Sequence, residues 1–588
     1  MPTFQTSSPL ASSSNVAHHE KPATSALSDD ADLSDSHETF RRLSWYQSTL
    51  TIGLSGGILL WASLPPLHWW PLAWVAPLPW LLLVLRPKLH GSRSKVALYL
   101  VSFAFWMGML QWLRLPHWAT SIGWVALSGY LALYPFLFVL LSRVAVHRVG
   151  LSVVFAAPTV WTGLEVARGY LFGGITIASL AHTQYRWHDW IQLADIIGCY
   201  ALSGLVMLVA ACLARMIPWA DQRTPVWPIV PLVLAFAVPL TYGAWRTSGE
   251  HTRPGATVAL IQGTIDTTFE DEADKDRRVM EQYDQLTEQA VERRRRDQQS
   301  NPDLPAIDLI VWPESMFRAP LVSFSPDYEM PPHMVRWAQG RSKEQIEAER
   351  GALPGKFFAR WRTPALVGLG REHLSATREQ RYNSAAFVSG DGELLSVYDK
   401  MHLVMFGEYV PLFSLWPALY KLTPMGEGLT PGERAVAEKI GGVRFSPSIC
   451  YETVIPQLFR QQIRQLREED REPDVLVSLT NDGWFWGSSE LDLHLICGVF
   501  RALECRKPLL IAANTGFSAW IDAEGRILEQ GPRRDTGFIV ADVEIDDRGS
   551  FFLEYGGWLE LLYVAPCLAL SVVAIRGRHR RMQSAAGC

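Results

Sequence analysis

Cysteine is scarce in this chain: seven in 588 residues, placed singly at 199, 212, 450, 497, 505, 567 and 588. No spacing among them matches a metal-ligand set or a disulfide framework, so neither a zinc module nor a stapled secreted domain is expected. An excess of charge is also missing. The formal net charge is −5, which argues against a general nucleic-acid binder. Residues 1–45 have no long apolar run and no basic start; Ser, Ala, Asp and His dominate. That segment reads as a disordered tail and not as a signal peptide.

What the chain has in abundance is apolar residues, 48% of the total, with 24 tryptophans. Apolar stretches recur near 48–64, 70–85, 96–113, 121–142, 150–172, 191–214 and 227–244, and again near 557–575. Several reach the ~20 residues that cross a bilayer; the first two are shorter and interrupted by Gly or Pro. Any one could be a soluble core helix. Together they predict a polytopic α-helical membrane domain of about eight spans, seven within 46–247 and one over 551–577, with 578–588 as a cytoplasmic tail. Basic residues set the orientation. Arg41 and Arg42, the run from Arg86 to Lys95, Arg143 and Arg148, Arg215 and Arg223, and Arg576 to Arg581 all fall on one side of such a bundle. That side is expected to be cytoplasmic. The long segment 248–550 then faces the exterior, the periplasm of a Gram-negative cell.

Within that segment, residues 256–545 read as one α/β domain. Val258–Gln262 is a buried first strand, followed by a charged helix near 270–299 that ends in Arg293 to Arg296, read as a solvated face. Further strands are expected near 307–312, 364–369, 384–389, 394–398, 443–449, 475–479, 509–513, 518–521 and 537–542. Parallel pairs with helical crossovers fit this alternation, with a hairpin over 384–398. Residues 321–360, Pro-rich and then charged, read as an inserted surface arm.

Three strand ends carry chemistry. Ile307–Trp312 breaks at Pro313 and presents Glu314; Leu394–Tyr398 leads to Lys400; Gly442–Ile449 leads to Cys450. Carboxyl ends of strands are where α/β folds place reactive groups. Alone, Glu314 is an ordinary strand end, Lys400 a surface charge and Cys450 a small core residue. Together they form a working set. A thiol needs a neighbouring base or cation to become a thiolate. A carboxylate can take the thiol proton and return it to a leaving group. A lysine can steady that carboxylate and the oxyanion of a tetrahedral intermediate. Such a site performs acyl transfer with no metal and no cofactor.

The motifs Trp312-Pro-Glu314, Tyr398-x-Lys400-x-His-Leu-Val and Cys450-Tyr-Glu452, in this order, resemble the nitrilase superfamily. Phe406-Gly-Glu408-Tyr-Val-Pro411 and Thr480-Asn-Asp-Gly-Trp484-Phe485 are similar to its apolipoprotein N-acyltransferase branch. The resemblance runs over roughly residues 45–575. It implies an extracytoplasmic nitrilase-like α-β-β-α sandwich, a catalytic triad of Glu314, Lys400 and Cys450, and support from Glu408, Tyr451 and Glu452. It also implies Trp484 and Phe485 as a wall against an acyl chain, an arm at 321–360 that touches membrane, and a monomer. His494 and Arg501-Ala-Leu-Glu504 lie on a helix read as scaffold. Met405, Trp486 and Ile511 depart from the family pattern, as does the loop Gly173-Gly-Ile-Thr-Ile.

Three functions compete on these residues. One is transfer of an acyl chain from a phospholipid donor, through a thioester, to the α-amine of a diacylglyceryl lipoprotein in the bacterial inner membrane. The second is a membrane-bound amidase or nitrilase-type hydrolase, in which water resolves the thioester. The third is a membrane scaffold with a binding sandwich. The intact triad disfavours the third, and the aromatic mouth Trp484–Trp486 favours transfer over hydrolysis.

Overall fold

The computed structural model describes residues 48–91, 93–217, 224–267, 274–409 and 428–586. The tail 1–45, Arg223, Val410 and Pro411 lie outside the described residues.

Among the described residues, twelve strands run β1 (Thr252–Gln262), β2 (Leu309–Phe324), β3 (Ala365–Leu374), β4 (Glu379–Val388), β5 (Leu394–Asp399), β6 (Glu438–Ile440), β7 (Val443–Ile449), β8 (Val475–Asn481), β9 (Leu509–Asn514), β10 (Ala519–Ile521), β11 (Ile527–Gln530) and β12 (Gly537–Asp546). They form two six-stranded sheets, ordered β12-β1-β2-β3-β4-β5 and β11-β10-β9-β8-β7-β6. The centre of each is parallel: β1, β2 and β3 in one sheet, β7, β8 and β9 in the other. The edges are antiparallel, and β4–β5 is a hairpin.

Side chains alternate between the two faces of each strand. On β1, Val258 and Leu260 point between the sheets, where they join Val311, Phe387, Phe445, Val477 and Leu510. Ala259 and Ile261 point outward, against Tyr283 and Leu286 of helix Lys275–Ser300 and Phe358 of helix Lys343–Phe358. The outer face of the second sheet, with Leu476, Leu509 and Ile511, packs on Leu458, Phe459 and Ile463 of helix Pro456–Glu468 and on Ile496 and Val499 of helix Glu490–Cys505. The order of layers is therefore α-β-β-α. Each fully buried large side chain at these faces stabilises by about 1.5–3 kcal/mol.

Each apolar stretch upstream of β1 is helical, over Thr49–Ser63, Leu78–Leu85, Ser94–Met109, Thr120–Leu131 with Leu133–Val144, Val153–Tyr170, Ala194–Met216 and Ile229–Arg246. A last helix begins at Phe551. Among the described residues, four helical segments are long and apolar enough to cross a membrane: Thr120–Val149, Ala194–Met216, Ile229–Arg246 and Phe551–Arg576. The apolar helices share one core with the second sheet's helical layer, from Leu60 through Ala211 to Leu458, Ile496 and Ile521. Helix Ala194–Met216 bends at Gly198, which holds φ +72 and where a Cβ would lie 2.3 Å from the Phe552 ring. Only glycine permits that approach.

Several expectations change. The 321–360 segment is not simply an arm. Its helix Lys343–Phe358 is the outer layer over β2, with Phe358 buried and its ring 5.0 Å from that of Trp312. Arg294 is not on a solvated face: it is buried and bonds Asp542 at 2.6 Å. The short strands β6 and β11 escaped the sequence reading because three or four residues are too few to show a period.

Candidate active site

Two backbone turns bring the reactive side chains out of the sheets. Past Trp312 the pairing of β2 with β3 slips, and Ser315 holds φ +58. The bulge is accommodated by Gly368 of β3, where a Cβ would lie 2.3 Å from the Pro313 carbonyl. At the end of β7, Cys450 itself holds φ +52 and opens a short 3-10 turn, Cys450–Val454. A non-glycine residue at positive φ carries strain that the surroundings must over-determine, and such positions cluster at active sites.

The structure brings Glu314, Lys400 and Glu408 into one buried cluster. Lys400 Nζ lies 2.8 Å from Glu408 Oε1 and 3.8 Å from Glu314 Oε1. Asn383 of β4 donates from Nδ2 to Glu314 Oε1 at 2.6 Å, and the Asn481 amide donates to Glu314 Oε2 at 2.9 Å. Both oxygens of the Glu314 carboxylate are thus fixed. Glu408 is held in turn by the Val404 amide at 2.8 Å.

Burial pushes the Glu314 carboxyl up; Lys400 opposes this, Glu408 adds to it, and the net position is above the usual carboxylate range. Burial works against the Lys400 ammonium, but Glu408 and Glu314 outweigh it and hold that pKa above normal. Cys450 is half-buried. Burial and then Glu314 push its thiol well up, with Lys400 the main opposing charge. Glu314 and Lys400 are thus the charges that act on the sulfur most strongly. This arrangement can remove a proton on demand and hold the resulting negative charge beside a fixed cation.

Tyr451 and Glu452 follow Cys450 directly and are held by different partners. The fully buried Glu452 accepts from the amides of Ile449 (2.7 Å), Met401 (2.8 Å) and His402 (3.0 Å), and from Tyr398 Oη (2.8 Å). It ties the Lys400 segment to the Cys450 turn. Tyr451 points toward the apolar helices, where its hydroxyl donates to the Gly174 carbonyl. His402 Nε2 bonds the neighbouring Gly173 carbonyl at 2.6 Å, and Thr176 Oγ1 donates to the Val454 carbonyl. The loop 171–178, between two apolar helices, is therefore bonded directly to the residues flanking Cys450.

Phe485 meets Trp112 of the apolar region edge-to-face, centroids 4.9 Å apart. Trp484 is half-buried, and Trp486, at φ +49, is 49% exposed. Ile511 is an ordinary buried strand residue of β9. The sequence reading missed Asn383, Asn481 and Thr480, and it took His494 for scaffold. His494 Nε2 bonds the Cys450 carbonyl at 3.1 Å, and its Nδ1 bonds Asp482 Oδ1 at 3.2 Å. Asn383 and Asn481 are uncharged residues in strands far from one another in the chain. No local pattern marks Asn383, and the motif that contains Asn481 does not show that its amide meets Glu314; that proximity comes from strand register.

Residues 56–212 match the model of the apolipoprotein N-acyltransferase N-terminal domain, and residues 257–551 match that of the carbon-nitrogen hydrolases. The chain is 31% identical over 541 residues to a protein of Rhodopirellula baltica named apolipoprotein N-acyltransferase, covering 85% of this chain and 92% of that one. It is 32% identical over 532 residues to a protein of the same name from Geobacter metallireducens, covering 88% and 94%. Among solved structures it is similar to an amidase from Nesterenkonia sp. AN1, at 18% identity and a TM-score of 0.34, covering 52% of this chain and 96% of that one. With a cysteine at a strained strand end, a carboxylate–lysine cluster beside it and relatives matched over nearly their full length, this chain belongs to the apolipoprotein N-acyltransferase family.

Proposed function

We propose that this protein transfers an acyl chain from a phospholipid, through a thioester on Cys450, to the α-amine of a diacylglyceryl-cysteine lipoprotein. Glu314 takes the proton from Cys450 Sγ, and the thiolate attacks the phospholipid ester carbonyl. Lys400 stabilises the oxyanion. Collapse of the intermediate releases the lysophospholipid, whose alkoxide takes the proton back from Glu314. In the second half-reaction the lipoprotein amine attacks the thioester carbonyl and gives its proton to Glu314. The Cys450 thiolate leaves and is reprotonated, and the product is an amide. Glu408 holds Lys400 throughout, and Glu452 and Tyr451 keep the two sides of the site in register. Trp484 and Phe485 wall the acyl chain. The chemistry calls for no metal and no cofactor.

The observation that carries this reading is the bonding of loop 171–178, between apolar helices, to His402, Tyr451 and Val454 around the nucleophile. A soluble hydrolase has no need of that coupling, whereas two lipid-anchored substrates do. The names of the relatives support the same acceptor. On this reading about eight helices span the inner membrane, residues 46–247 hold seven of them and 551–577 the last. The α/β domain, 248–550, faces the periplasm, and one copy suffices for the reaction.

The test uses purified protein in detergent with a phospholipid labelled in its acyl chain. A hydroxylamine-labile label on the Cys450 peptide, absent from Cys450→Ala, that chases onto a diacylglyceryl-cysteine peptide is the expected result. A label that chases only to free fatty acid makes the protein a hydrolase. No label on folded protein removes the phospholipid donor.

A further inference from the structure

Behind the nucleophile stands a second polar circuit that the mechanism above does not use. His494, on helix Glu490–Cys505, is 5% exposed, and both ring nitrogens face acceptors. Nε2 lies 3.1 Å from the carbonyl oxygen of Cys450, and Nδ1 lies 3.2 Å from Asp482 Oδ1. A neutral imidazole has one N–H and can satisfy one of these two. A ring bonded to a carbonyl and a carboxylate at once needs both protons.

We propose that His494 is a positioning residue, held as an imidazolium, that clamps the Cys450 carbonyl and so fixes the left-handed backbone that presents the nucleophile. Asp482 is its anchor. The same Asp482 oxygen accepts from Thr480 Oγ1 at 2.8 Å, which ties the anchor to the end of β8. Glu490, one turn earlier on the same helix, places Oε1 4.0 Å from Nδ1. Burial and then the nearby Asp482 push the Glu490 carboxyl well up, with His494 opposing them. Burial alone would lower the His494 pKa; Asp482 and Glu490 reverse that and raise it to about 9. The strain of a non-glycine residue at φ +52 requires such a fixed partner.

The experiment has two arms on full-length protein. In the first, ring nitrogens of 15N-labelled histidine are followed by NMR, with His494→Asn identifying the signal. The signal is expected to be that of an imidazolium at neutral pH, with a midpoint that in Asp482→Asn falls toward the free-histidine value of about 6.5. In the second, the burst of Cys450 acylation by phospholipid is timed. His494→Asn is expected to slow it by about 100-fold with the KM for lipid unchanged, as for a misplaced nucleophile. Relative to wild type at the same pH, Asp482→Asn should keep its burst on the acid side of the lowered histidine midpoint and lose it as its weakened imidazolium deprotonates. A neutral ring at neutral pH, or a folded His494→Asn protein with an unchanged burst, would overturn the proposal. The kinetic arm rests on the acyl-transfer reading and the NMR arm does not, so a wild-type protein with no burst but an imidazolium signal would sink only that reading.

Discussion

Lys400 is bonded more closely to Glu408, at 2.8 Å, than to Glu314, at 3.8 Å. The nearer carboxylate anchors the lysine, and the farther one, held by Asn383 and the Asn481 amide, is the proposed base. Two carboxylates share one buried ammonium, so removing the lysine costs more than a catalytic charge. Lys400→Met leaves both acids uncompensated at a site that is 1% exposed at the lysine. It should destabilise the fold by about 3–5 kcal/mol as well as abolish acylation, visible as a lowered thermal midpoint. A Lys400→Met protein with an unchanged midpoint would show that the cluster is hydrated.

The pH dependence follows from the same pair. Glu314 must be ionised to accept the thiol proton, and its pKa lies above the ordinary value of 4.5. Activity in the first half-reaction should therefore fall on the acid side through a pKa higher than that of a free carboxyl. Glu408→Gln removes a like charge from Glu314 and leaves Lys400 to pair with it alone. Both changes favour the ionised form, so the acid limb should move to lower pH. A limb that stays in place would mean that a different group is the base.

Glu452 predicts a loss of architecture. Its carboxylate satisfies three backbone amides and the Tyr398 hydroxyl with no exposure to solvent. Glu452→Ala strands these donors, at about 1–3 kcal/mol for each left unpaired. Little folded protein is expected. Glu452→Gln keeps the shape but offers one acceptor oxygen, and should fold with a lower midpoint and a misplaced Lys400. Equal thermal midpoints for the Glu452→Gln protein and wild type would contradict this role.

Tyr451 and Gly174 test the coupling between loop 171–178 and the nucleophile. Tyr451→Phe loses the bond to the Gly174 carbonyl, at about 0.5–1.5 kcal/mol. Gly174 holds φ +72, and a Cβ there would lie 2.2 Å from the Gly169 carbonyl. Gly174→Ala must therefore shift the loop. Both variants should slow acylation by lipid more than alkylation of Cys450 by a small soluble reagent. Equal losses in the two assays would mean that the loop serves the thiol and not lipid access.

Glu314, Lys400 and Cys450 were legible as candidates because each follows an apolar run within a short pattern: Pro313-Glu314, Tyr398-x-Lys400 and Cys450-Tyr-Glu452. Strand and helix positions were legible for the same reason, since burial imposes a period on the chain. The outer helix Lys343–Phe358 was misread because its charged, Pro-containing stretch hides the buried positions Ile346 and Phe358. Arg294 was misread because a buried arginine and a solvated one look alike until the partner, here Asp542, is found.

The sequence by itself determined the kinds of chemistry present, the apolar helices and the alternating strands, because these depend on composition and local period. Only the tertiary structure decided which groups act on which. That Asn383 and the Asn481 amide hold Glu314, that Glu452 joins residues 401 and 449, and that His494 reaches the Cys450 carbonyl all depend on strand register and on the packing of distant segments. A hydrogen bond acts over about 3 Å, and no pattern along the chain encodes distances that small between residues so far apart in it.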